Sequence, residues 1–61
     1  MNKTCRIYTD INGKHVMLWY VPNKKYPNYK DGKSIKELVK FAKENGFTGY
    51  HNQYEKEITQ L

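Results

Sequence analysis

Between Ser34 and Phe47 the apolar residues Ile35, Leu38, Val39 and Ala42 fall at i, i+3, i+4 and i+7. This is the stripe of an amphipathic helix. Ser34 with Glu37 three residues later forms a capping-box start. Asn45-Gly46 supplies a stop, because Gly can close the last turn in the left-handed conformation. Phe47 then stands where an apolar residue folds back onto the helix, against Ala42 and Phe41. A helix over 34–46 follows, with Lys36, Lys40 and Lys43 along its polar edge, where pairing with Glu37 and Glu44 on a solvated face is the simpler reading.

Residues 4–21 carry a different period. Thr4–Ile11 and Lys14–Val21 are rich in β-branched and aromatic residues, and Asn12-Gly13 lies between them. That dipeptide predicts a β-hairpin with a type I′ turn. A two-residue loop sets Thr9 opposite Val16, Ile7 opposite Leu18 and Cys5 opposite Tyr20, giving an apolar face for the helix. The other face then pairs Asp10 with His15, Tyr8 with Met17 and Arg6 with Trp19. The segment 22–33, PNKKYPNYKDGK, reads as a basic Tyr/Lys loop, with Tyr26 and Tyr29 open to a short third strand. After Phe47, Tyr50, Tyr54, Ile58 and Leu61 suit a short helix over 52–60, started by Asn52 and Glu55. The alternation of Thr48, Tyr50, Asn52 and Tyr54 suits an edge strand instead. The expected fold is α+β: an antiparallel hairpin of two or three strands packed on one helix, with a short C-terminal helix or edge strand.

Composition narrows the picture. A chain of 61 residues is one small domain, near the lower limit for folding without staples. The lone Cys5 excludes an intrachain disulfide and a multi-cysteine metal site. The segment MNKTCR has no apolar run, and no stretch is long enough to span a bilayer, so the expectation is a cytoplasmic protein with no membrane association. Asp10, His15, His51 and Cys5 form no convincing catalytic or metal constellation, and no Gly-rich phosphate loop exists. A non-enzymatic protein without a cofactor is expected.

Charge adds the functional expectation. The net charge is +5. Residues 1–33 hold seven of the eleven basic residues and only two acids, whereas residues 34–61 are balanced. Arg6, Tyr8 and Trp19 are expected on one sheet face, followed by Lys24, Lys25, Tyr26, Tyr29 and Lys30. Cations attract phosphates and aromatic rings stack bases, so this set points to nucleic acid, DNA ahead of RNA. In layout, residues 4–47 resemble the small N-terminal arm-binding domains of phage-type integrases, which lay a sheet in the major groove; the resemblance implies a DNA-binding sheet face. The alternative is an interaction module for an acidic protein surface, such as a phage or mobile-element protein that inhibits a host factor, anchored by Trp19 or Tyr26.

Overall fold

The computed structural model describes residues 3–61. Met1 and Asn2, the start of the MNKTCR segment, lie outside the described residues. The elements are β1 (Thr4–Thr9), β2 (His15–Trp19), β3 (Asn28–Gly32), α1 (Ile35–Glu44), β4 (Gly49–Asn52) and β5 (Thr59–Gln60). They form one mixed five-stranded sheet of order β3-β2-β1-β4-β5, with β1 and β4 parallel and the other neighbours antiparallel. The fold is α+β, richer in strand than a hairpin on a helix.

The helix follows its sequence signals. Ser34 Oγ accepts the Glu37 amide at 3.1 Å. The Glu37 carboxylate accepts the amide of Lys33 at 3.2 Å, one residue before the cap. At the other end Gly46 takes φ +83°, and the Phe47 amide donates to the Ala42 carbonyl at 3.0 Å. This is a Schellman closure with Phe47 folded onto Ala42.

The hairpin differs from expectation by one residue. Arg6 faces Leu18, Ile7 faces Met17, Tyr8 faces Val16 and Thr9 faces His15. The cause lies in the turn. Asp10 accepts the Gly13 amide at 3.0 Å and donates its own amide to the Lys14 carbonyl at 2.9 Å. Its carboxylate accepts the amides of Asn12 at 2.8 Å and Lys14 at 2.9 Å. Gly13 sits at φ +79° and Asn12 has no positive φ. The loop is therefore Ile11-Asn12-Gly13, a turn followed by a left-handed glycine, and a type I′ turn at Asn12-Gly13 is ruled out. Because strand side chains alternate, the slip moves every β2 side chain to the opposite face.

Cys5, Ile7, Met17, Leu38, Ala42 and Phe47 consequently form the buried core. Trp19 joins them, its ring 5.8 Å from Phe47 and 6.4 Å from Phe41. The expected pairing of Ile7 with Leu18, and the placement of Trp19 beside Arg6, are both corrected. Asp10 does not pair with His15, whose Nδ1 lies 2.8 Å from Thr9 Oγ1.

The C-terminal segment contains no second helix. Gln53 takes φ +53°, which ends any helical start at Asn52. Its amide donates to the Ile7 carbonyl at 2.8 Å, extending the β1–β4 ladder. Arg6 Nη1 donates to the carbonyls of Gln53 at 2.7 Å and Glu55 at 3.1 Å. These bonds satisfy carbonyls that a helix would have used internally; residues 49–52 are a strand, but an interior one between β1 and β5 and not the edge strand expected.

The register generates a paired test. Met17→Asp buries a charge against Ile7 and Leu38, and should cost more than about 4 kcal/mol and unfold the chain. Leu18→Ser, on the other face, should cost about 1–2 kcal/mol and leave a cooperative urea transition. Circular dichroism during urea unfolding reads both; the two-residue-loop register requires the reverse order.

Candidate binding face and end cleft

Helix α1 covers one side of the sheet, packing on β1, β2 and β3. Strand alternation assigns Arg6, Tyr8, Val16, Leu18, Tyr29, Asp31 and His51 to the other side. Val16 is buried there without belonging to the helix-side core. Tyr54 lies against Tyr8 at a centroid distance of 6.2 Å. Tyr29 is 70% exposed and Tyr54 78% exposed. No helix covers this face; it exposes Tyr29 and Tyr54, while Val16 is buried and Tyr8 half-buried beside Tyr54.

Its electrostatics differ from the sequence expectation. Asp31 is tied to Lys14 at 2.7 Å, a contact between well-exposed partners that raises the Lys14 pKa through the hydrogen bond and charge of Asp31. Arg6 has no carboxylate partner among the described residues and is held by main-chain carbonyls. Lys30 faces the helix side, its Nζ 4.8 Å from the Phe41 ring centroid. Lys24 and Lys25 lie in the connection from β2 to β3; Lys24 Nζ donates to Asn28 Oδ1 at 3.0 Å and Lys25 Nζ sits 5.7 Å from the Tyr26 ring.

Of the eight residues singled out from sequence, the structure assembles Arg6, Tyr8 and Tyr29 on one face. Lys24, Lys25 and Tyr26 occupy the connecting loop beyond the end of β2. Trp19 and Lys30 belong to the opposite side, because the register slip reverses Trp19 and Met17 pairs with Lys30. Sequence reasoning missed Leu18, His51 and Tyr54 on the open face. His51 was legible in the alternation of Tyr50 and Asn52, whose intervening residue must point the other way.

At one end β1 and β2 part. Their ladder stops at Arg6↔Leu18, while β1 continues to Thr4 beside β4 and β2 continues to Trp19 beside β3. The gap is a half-open cleft of about 940 Å³ lined by Cys5, Arg6, Leu18, Trp19, Tyr20 and His51, among others. Burial pushes the Cys5 thiol pKa up to about 11, away from the thiolate that is the reactive form.

Among the described residues no group of three or more His, Cys, Asp or Glu could hold a metal ion, and no helix is long and apolar enough to cross a membrane. No family model, curated protein or solved structure matches the chain.

The thiol generates a pH prediction. The folded state holds this proton to about pH 11, whereas an unfolded cysteine loses it near pH 8.5. Its stabilising contribution is complete below the unfolded pKa and lost as pH rises through the folded one. The stability difference between wild type and Cys5→Ala should stay flat below about pH 8 and shift against wild type by up to about 2–3 kcal/mol towards pH 11. Urea unfolding at stepped pH measures it; a flat difference to pH 11 contradicts the assignment.

Proposed function

We propose that the protein binds single-stranded nucleic acid on the sheet face opposite the helix, without enzymatic activity. The observation that carries this reading is the set of solvent-facing tyrosines, Tyr29 and Tyr54 above all, on a chain of net charge +5. Flat exposed rings stack bases of any sequence, and surrounding cations hold the phosphates. Asp31, the acid that alternation assigns to this face, is already neutralised by Lys14. Lys24 and Lys25 extend from the β2–β3 connection and supply charge at the rim.

A single strand fits better than a duplex groove. Groove binding by a sheet needs cations across the face to contact two phosphate backbones. Here Lys30 points to the helix side, Lys24 and Lys25 lie in the connecting loop, and Arg6 alone of these four cations stands on the face. The alternative, an anchor for an acidic protein surface, keeps the exposed Tyr26 but loses Trp19, which is packed against Phe41 and Phe47.

Fluorescence anisotropy with labelled twelve-residue DNA and RNA strands, and the matching duplex, tests the reading. Single strands should bind with Kd below about 100 μM at 50 mM salt and weaken steeply by 200 mM. Tyr29→Ala should weaken binding by about five- to a hundredfold, with folding unchanged because the ring is exposed. Binding weaker than about 100 μM at low salt, or an unchanged affinity for Tyr29→Ala, overturns it.

A further inference from the structure

The cleft between the parted ends of β1 and β2 has a chemistry that the open face lacks. The apolar part of its lining comes from Leu18, Val21, Trp19 and Phe47, among others. Among the described residues two cations line it, Arg6 and Lys3, and no Asp or Glu does. Both cations are held by neutral groups. Arg6 donates to the Gln53 and Glu55 carbonyls. Lys3 Nζ donates to the Asn45 carbonyl at 3.1 Å and lies 4.4 Å from the Phe47 ring centroid. Each charge is positioned without being neutralised, which leaves it available to an anion.

His51 adds a polar group with an unusual environment. It is the Cα partner of Arg6 across the β1–β4 ladder, and it lines the cleft. Its Nδ1 is buried and has no hydrogen-bond partner. A stranded N–H at that position would be the costlier defect, since orphaned buried donors are rarer than under-satisfied acceptors. A neutral ring pays least with its hydrogen on Nε2, which would offer one donor to a ligand.

We infer that this cleft is a binding site for a single nucleotide unit, with its base against the apolar part of the lining and its phosphate near Arg6 and Lys3. The volume of about 940 Å³ lies within the usual span of small-ligand sites, about 300–1,000 Å³. The aromatic and aliphatic lining favours a poorly hydrated ring, and two unneutralised cations favour an anion; a nucleotide combines both. Leu18, Arg6 and His51 belong to the open face as well as to the cleft, so a strand lying on that face reaches the cleft without leaving the surface. The inference rests on the proposed function only for the source of the nucleotide, strand or free molecule.

Titration of 15N-labelled protein with AMP, UMP, adenosine and inorganic phosphate, and separately with U12 and dT12 oligomers, tests it by NMR. AMP or UMP should shift the Trp19 indole and the Cys5 and His51 amides, saturating at concentrations about tenfold lower than phosphate or adenosine. His51→Ala should weaken this by about five- to tenfold. Lys3→Gln, an exposed change that keeps the fold, should weaken it by about threefold. Oligomers that shift Tyr29 and Tyr54 while no nucleotide moves the cleft signals overturn the cleft and leave the platform standing. Nucleotides that saturate the cleft while oligomers fail to bind support it as a free-nucleotide site and remove the platform. Phosphate binding as tightly as AMP, or both variants binding as wild type with native spectra, overturns the inference.

Discussion

The carboxylate of Asp10 decides what the rest of the sheet can be. By accepting the amides of Asn12 and Lys14 it holds a three-residue loop in place of a two-residue one. A side-chain period of two turns that single extra residue into an exchange of faces. Met17 and Trp19 go to the helix, while Val16 and Leu18 go to the open side. The composition of core and surface is thus a consequence of turn chemistry as much as of hydrophobic pattern.

Arg6 is the second organising group. It lies on the open face, yet its guanidinium closes the turn after β4 by binding two carbonyls. Together with the Gln53 amide on Ile7, this fastens the C-terminal segment to β1 and allows β5 to return along β4. The same residue sits at the mouth of the end cleft. One cation therefore serves as a structural tie and as the positive wall of a candidate ligand site, without a carboxylate to cancel it.

Local signals were legible where the interactions are local. Ser34, Glu37, Asn45 and Gly46 define the helix because caps involve residues within one or two turns, and Phe47 was placed correctly for that reason. The hairpin's existence was legible too, but its register was not: Asn12-Gly13 suits two loop lengths, and only the Asp10 carboxylate separates them. The second helix was misread because Tyr50, Tyr54, Ile58 and Leu61 keep helical spacing while serving different surfaces. Tyr50 and Leu61 pack on the core and Tyr54 packs on Tyr8. The bonds that overrule the helix come from Ile7 and Arg6, more than forty positions away, and no window of sequence contains them. The candidate face was half legible: Arg6, Tyr8 and Tyr29 needed only parity within their strands, whereas Trp19 and Lys30 depended on the register.

The division of the molecule into a packed helix side and a tyrosine-bearing open side is most directly tested by ring-selective NMR of tyrosine and tryptophan during addition of a single-stranded oligonucleotide. The account predicts that the Tyr29 and Tyr54 ring signals shift together, while the amides of Lys36, Lys40 and Lys43 on the exposed edge of the helix stay in place. Movement of those helix amides with the tyrosine rings unchanged would contradict it, and would transfer the working surface to the opposite side of the protein.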